Sequence, residues 1–230
     1  MSQPPIVQTR AFNELQRSAT TFKLRPMPVT PPAAIVIAAS TGGPQALGAL
    51  LAGLADHVKN VPVFVVLHMP ADFNAMVASH IERQTSLRAS VAAHGEIARP
   101  GRVYIAPGGL HLRVARSPEG ARMWHSDADP EQFLRPAANF LFRSAASAYG
   151  DSLLGVVLTG MGADGLDGSY AIIARGGAVM AQDEASSVVW GMPGAVARAG
   201  LACAVAPLDE LARRIARLLA ARRAGGGIER

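Results

Sequence analysis

The sequence predicts an α/β fold: a doubly wound, mostly parallel sheet flanked by helices, with an added antiparallel β-hairpin. Three observations carry that reading. Apolar, β-branched runs at 33–39, 61–67 and 155–159 look like strands covered on both faces. Each runs into a turn rich in glycine or proline and then into a helical stretch, the alternation that builds a parallel sheet. With half of the residues hydrophobic and only 17% charged, one domain with a sizeable core fits better than disorder.

Taken in order, residues 1–32 are polar and then proline-rich (Pro26, Pro28, Pro31, Pro32), which suggests a flexible leader with a short helix at 11–17. The domain opens at residue 33. Residues 33–39 (Ala-Ala-Ile-Val-Ile-Ala-Ala) form the first strand and Ser40-Thr-Gly-Gly-Pro44 its turn. Residues 45–54 form a helix, with Pro44 suited to the first turn. The second strand, 61–67, ends at His68-Met-Pro70, and 73–85 is its helix. Short strands are expected at 91–94 and 102–106. Strands at 110–116 and 121–125 flank Ser117-Pro-Glu-Gly120, which has hairpin turn chemistry. A helix follows at 136–149, then the strand at 155–159, the turn Gly160-Met-Gly-Ala-Asp-Gly165 and a helix at 166–175. A strand at 178–181, a partly helical stretch at 188–199 and an amphipathic helix at 208–221 complete the domain, which is set at 33–221, with a basic, glycine-rich tail at 222–230.

Composition excludes several functions. Residues 1–32 carry a net +3 and residues 213–230 a net +5, whereas 33–212 carry −3, so the basic excess sits at the ends and no nucleic-acid partner is expected. The lone Cys203 gives neither a disulfide framework nor a cysteine metal site. No pair of histidines shows metal-ligand spacing with an acidic partner, so no metal and no cofactor are expected. No apolar stretch reaches the roughly 20 residues of a membrane span, and no signal peptide is visible, which makes a cytoplasmic location the expectation.

In a doubly wound sheet, sites form where strands end at their carboxyl edge. Three such turns each offer one member of a nucleophile–base–orienter set: Ser40, His68 and Asp164. A serine hydroxyl becomes a nucleophile when an imidazole takes its proton, and a carboxylate fixes the imidazole's tautomer. Ser40 also precedes Thr41, Gly42 and Gly43 at a helix N-terminus, whose unpaired N–H groups suit an oxyanion. Singly, each residue has a plainer reading: Ser40 as a helix cap or part of a phosphate cradle, Asp164 as a turn residue, and Met161 as core, although its N–H lies in a glycine-flanked turn. The dinucleotide, Walker and esterase-elbow patterns are absent at the first turn, which reads Ala38-Ala-Ser-Thr-Gly42. His111, after Pro107-Gly-Gly, is a candidate lining residue, and Trp124 and Trp190 are expected to pack.

Five segments in order then resemble the catalytic domain of the chemotaxis protein-glutamate methylesterases (CheB type). They are Ala39-Ser-Thr-Gly-Gly43, His68-Met-Pro70, Tyr104-Ile-Ala-Pro-Gly108, Leu158-Thr-Gly-Met-Gly-Ala-Asp-Gly165 and Gln182-Asp-Glu-Ala-Ser-Ser-Val-Val-Trp-Gly-Met-Pro193. Each is short, but the five come in order, and the resemblance covers about residues 33–220. The resemblance implies hydrolysis of glutamate γ-methyl esters on methyl-accepting chemotaxis receptors, and deamidation of certain receptor glutamines by the same acyl chemistry. It implies Ser40 as nucleophile, His68 as base, Asp164 as orienting carboxylate, and the N–H groups of Thr41 and Met161 as oxyanion donors. The partner would be the receptor's cytoplasmic helical region, met across an open groove, without membrane insertion.

The chain departs from the family pattern in places. Residues 1–32 are too short for the N-terminal receiver domain that members usually carry, so control within this chain is not expected. Leu67 stands where a Gln often precedes His-Met-Pro. Phe133-Leu134 replace polar or basic residues before Arg135-Pro136, and Asn139 takes an acidic position. These changes bear on substrate preference. The pair Phe133-Leu134 is read as core rather than as partner surface. Two other readings remain open: a noncatalytic scaffold, which loss of any one triad residue would have favoured, and a hydrolase of another ester or amide, which a deep closed pocket at Ser40 would favour.

Overall fold

A computed structural model of the chain describes residues 22–225. Nine strands and six α-helices lie among them. The first half runs β1 (Ala34–Ala39), α1 (Gly43–Leu54), β2 (Val63–Leu67), α2 (Asn74–Thr85), β3 (Arg88–Val91) and β4 (Arg102–Ile105), followed by the hairpin β5 (His111–Ser117) and β6 (Gly120–Ser126). The second half runs α3 (Ala138–Tyr149), β7 (Leu153–Val157), α4 (Leu166–Ala174), β8 (Ala178–Gln182), α5 (Met192–Arg198), β9 (Ala204–Ala206) and α6 (Leu208–Gly225).

Seven strands form one sheet in the order β3-β4-β2-β1-β7-β8-β9, and every pairing in it is parallel. The expected doubly wound architecture is therefore present, with the antiparallel hairpin β5–β6 beside it. The reason is visible in β1, where all six residues are buried. Ile35, Ile37 and Ala39 face Leu47, Leu50, Ile81 and Ile215 from α1, α2 and α6. Ala34, Val36 and Ala38 face Leu141, Phe142, Ile172 and Val196 from α3, α4 and α5. A strand sandwiched in this way has no wet face, so its sequence shows no alternation.

The chain leaves β1 to one side for β2 and later returns on the other side as β7. The gap above β1 is thus the topological switch point, where a crevice opens between outgoing loops.

Several boundaries differ from the sequence reading. The edge strand expected at 91–94 lies at Arg88–Val91, because Arg88 and Ser90 alternate on a partly exposed edge and break the apolar run. The strand expected at 155–159 is Leu153–Val157; Thr159 leaves the ladder and donates its N–H to Gln182 Oε1 at 2.8 Å. The stretch at 188–199 is helical in part, as expected, over Met192–Arg198, whereas the three-residue β9 has too little pattern to be seen. Phe133 is not core: it is 99% exposed, at the tip of a turn where Gln132 and Phe133 both take left-handed backbone angles, while Leu134 is half-buried. The short helix expected at 11–17 lies outside the described residues. Residues 22–33 carry no helix and run against the domain, Phe22 packing on Trp190 and the Arg25 N–H donating to Ala202 O.

Candidate active site

The parallel register brings the first two candidates side by side. Ala39 pairs with Leu67, so the next step sets Ser40 beside His68, and the His68 N–H donates to Ala39 O at 3.1 Å. Ala39 and Leu67 point to the α1–α2 face, so by alternation Ser40 and His68 turn to the α3–α4 face. Asp164 arrives there from the β7–α4 turn. His68 Nε2 lies 2.8 Å from Asp164 Oδ2, with the His68 side chain 8% and the Asp164 side chain 1% exposed.

The carboxylate is fully engaged. Oδ2 also accepts from the Ala138 N–H at 2.6 Å, and Oδ1 accepts from the N–H groups of Asn139 and Gly165, each at 2.9 Å. Ala138 and Asn139 open α3, whose own N-cap, Ala137, has no capping side chain. Asp164 therefore caps α3 from another part of the chain and meets the positive end of its dipole. Burial alone would push its pKa up. The His68 hydrogen bond and the two α3 N–H groups outweigh that and hold it below the usual carboxylate value. An ionised Asp164 accepts a hydrogen bond from the ring, so Nε2 carries the hydrogen and Nδ1 is left without one.

Ser40 sits where the turn is tightest. Its N–H donates to Thr159 O at 3.0 Å, and its carbonyl accepts from the Gly43 N–H at 2.7 Å. Gly42 is left-handed (φ 76), and a Cβ there would come within 2.6 Å of Val188. A Cβ on Gly160 would come within 2.8 Å of Ser40 Cβ and collide with Met192 Sδ, so the β7 turn lies directly against the serine. Ser40 Oγ makes no hydrogen bond to His68 in this structure, which apo catalytic pairs often lack until substrate arrives. The N–H groups of Thr41 and Met161 donate to no described residue, and both residues are exposed, Met161 by 73%. These two donors and Ser40 are thus accessible from the open side of the switch point.

Sequence reasoning missed the supports beneath these residues. The Thr159 hydroxyl donates to Thr41 O at 2.9 Å and accepts from the Val189 N–H at 3.0 Å. Gln182 receives the Thr159 N–H and donates to Ser186 O. Both residues stood in quoted motifs, yet nothing local tells which loops they bind. Gly108 abuts Ala71 so closely that a Cβ would overlap it, which pins the loop after His68. His111 does not line the site. It is buried behind it, accepting from the Ala137 N–H on Nδ1 at 3.2 Å and meeting Asp129 O through Nε2. Trp190 packs as expected, and its indole N–H donates to Gln182 O. Among the described residues no cluster of histidine, cysteine or carboxylate side chains could hold a metal, and no helix is long and apolar enough to cross a membrane.

Comparison with known proteins decides the family. The family model for CheB methylesterase matches residues 35–215. The chain belongs to the CheB methylesterase family. A protein-glutamate methylesterase/protein-glutamine glutaminase of Nitrobacter hamburgensis is 46% identical over 197 residues, covering 86% of this chain and 52% of that protein. One from a Nocardioides species is 50% identical over 200 residues, covering 85% and 54%. The chain spans about half the length of the curated relatives it matches. The crystal structure of the Thermotoga maritima CheB methylesterase catalytic domain superposes with a TM-score of 0.79 at 34% identity, covering 81% of this chain and 98% of that one. The resemblance seen in the five sequence segments is therefore correct, and the sheet and hairpin are those of a CheB catalytic domain.

Proposed function

We propose that this chain hydrolyses glutamate γ-methyl esters on methyl-accepting chemotaxis receptors, in the cytoplasm, and deamidates receptor glutamines by the same route. The observation that carries the proposal is the buried His68–Asp164 pair, 2.8 Å apart, held beside Ser40 at the switch point of a CheB-family sheet. Ser40 is the nucleophile, His68 the general base and Asp164 the orienting carboxylate.

With Nε2–H committed to Asp164, Nδ1 takes the Ser40 proton as Oγ attacks the ester carbonyl. The N–H groups of Thr41 and Met161 hold the oxygen that becomes negative; one such donor is worth about 3 kcal/mol. The tetrahedral intermediate collapses, Nδ1–H passes its proton to the leaving oxygen, and methanol departs. Water attacks the acyl-serine, gives its proton to His68, and the receptor glutamate is released as Ser40 is re-protonated. For a glutamine the leaving group is ammonia. Every proton is shuttled by His68, so the cycle closes without a cofactor or a metal. Exposed donors at Thr41 and Met161 suit a substrate presented on a helical surface better than a small molecule enclosed in a pocket.

The test is methanol release from a panel of methylated receptors, comparing the wild-type chain with Ser40→Ala. Release that vanishes in the variant supports the proposal. Release that survives Ser40→Ala sinks the nucleophile assignment, and folded wild-type protein that releases nothing sinks the substrate.

A further inference from the structure

The turn before α3 carries a ring that nothing in the domain uses. Glu131 and Leu134 face each other across it, the Leu134 N–H donating to Glu131 O at 2.9 Å and the Glu131 N–H to Leu134 O at 3.1 Å. Gln132 and Phe133 span the gap, and both are left-handed (φ 52 and 65), as in a type I′ turn. Asparagine and glycine suit such positions, whereas a phenylalanine there is strained. Phe133 is nearly fully exposed and makes no ring contact among the described residues.

The turn is braced on both sides. Arg143 of α3 holds both oxygens of Glu131, Nη1 donating to Oε1 at 2.8 Å. After the turn, Arg135 Nη1 donates to Asp127 O at 2.9 Å, and Arg135 O accepts from the Gly109 N–H at 3.2 Å. Before it, His111 Nε2 meets Asp129 O at 3.1 Å. Single exposed apolar residues are ordinary. A strained backbone held in a built frame, presenting a ring that gives the fold neither burial nor contact, points to a use outside the domain. The place of the turn says which. It runs through Arg135 to Ala138, whose N–H binds Asp164. It also leans on Gly109, next to the Gly108 that abuts Ala71 in the loop after His68. The turn thus stands on the loops at the carboxyl edge of β2 and β4, the edge that carries Ser40. A helical substrate rises only 1.5 Å per residue, so its surface continues past the one side chain that reacts and meets neighbouring loops.

We propose that Phe133 is a specificity-determining residue that seats on an apolar spot of the receptor's helical surface while Ser40 reacts with the ester. The inference rests on the substrate reading proposed above. A ring outside the reacting centre binds the ground state and the transition state alike, so it lowers KM and leaves kcat alone. An aromatic side chain suits the role, because it offers a large apolar area and has only two torsions to freeze. Phe133 is also one of the chain's departures from the family pattern. The contact therefore bears on which receptor is bound and not on how the ester is cleaved, and a polar or basic side chain in its place would suit a receptor of different surface.

The test is the steady-state kinetics of methanol release from a methylated receptor by Phe133→Asn, with Ser40 labelling by a fluorophosphonate as the control. That reagent phosphonylates the serine, expels fluoride and needs no receptor. Asparagine tolerates a left-handed backbone, so the turn stays formed. Phe133→Asn should raise KM about tenfold with kcat kept within about twofold, label at the wild-type rate and melt no lower than wild type. Phe133→Tyr, which keeps the ring, should hold KM within about twofold of wild type. An unchanged KM in Phe133→Asn overturns the proposal and leaves the substrate reading standing. If that variant instead loses self-association with KM unchanged, the ring belongs to a contact between two copies of the chain and the proposal is likewise overturned. A fall in labelling that matches the rise in KM also overturns it, since Phe133 would then be shaping the site. Wild-type protein that labels at Ser40 yet releases no methanol from any receptor overturns the substrate reading and this inference with it.

Discussion

His68 has two ring nitrogens and only one of them is free, and the consequences of that fall on Asp164. In Asp164→Asn an amide would face Nε2, and Nε2 would bind it best unprotonated. The ring proton would then sit on Nδ1, facing Ser40, where a base is needed. Methanol release should fall on the order of 10⁴-fold, as for the equivalent change in other serine triads, with the protein still folded. The same substitution weakens the cap of α3, so the variant should be less stable at pH 7 by about 2 kcal/mol. The sign with pH follows from the direction of the shift. Asp164 is held below its ordinary value, so its stabilisation is present above the unfolded pKa of about 4 and is lost as pH falls through the folded one. The melting-temperature gap between wild type and variant should therefore close below about pH 4, and a gap constant with pH would contradict an ionised Asp164. At this scale the sequence was informative wherever a residue ended a strand: Ser40, His68 and Asp164 could be picked out because parallel strands deliver their ends together. Thr159 and Gln182 could not, since each works by binding a loop distant in sequence.

Two helices without side-chain caps of their own are joined end to end by Asp164 and Asn139, and that explains why the helix expected from residue 136 begins at Ala138. The joint depends on close approach. Gly168 lies against α3, and a Cβ there would come within 2.5 Å of Phe142 Cβ and 3.0 Å of Asn139 Cα. Gly168→Ala should push α4 off α3, costing about 1–3 kcal/mol in denaturant unfolding and lowering activity along with stability, because Asp164 leads into α4. Gly42→Ala tests the other side of the site. Its left-handed backbone costs an L-residue about 1–2 kcal/mol, and the new Cβ must displace Val188, so Ser40 labelling should fall more steeply than stability does. Unchanged labelling there would mean that the turn does not set the serine. Strand–turn–helix units with buried strands were legible because two covered faces leave continuous apolar runs, as in β1 and β2. β3 was misplaced and β9 missed because one is a half-exposed edge and the other is three residues long.

Across the whole molecule, the sheet carries its site at the centre and its thinnest element, β9, at one edge, where only β8 pairs with it and α6 covers it. Cys203 reports on that edge. It is buried just before β9, its N–H donates to Val179 O at 2.8 Å, and desolvation pushes its thiol up to about 11. A thiol of that kind is protonated and shielded at pH 8, so it reacts only when the edge opens. If β9 and α6 are one cooperative unit with the central strands, labelling by a disulfide reagent should be negligible in the native protein. It should then rise with denaturant along the same curve as the loss of circular dichroism, because Leu211 and Ile215 of α6 share a single core with Ile35 and Ile37 of β1. Labelling that begins well before that transition would show the edge opening alone. The Ser40 reaction under the same conditions then separates the cases: the site lies on β1, β2 and β7, two to four strands inward from β9, and should stay active through an opening confined to β9 and α6.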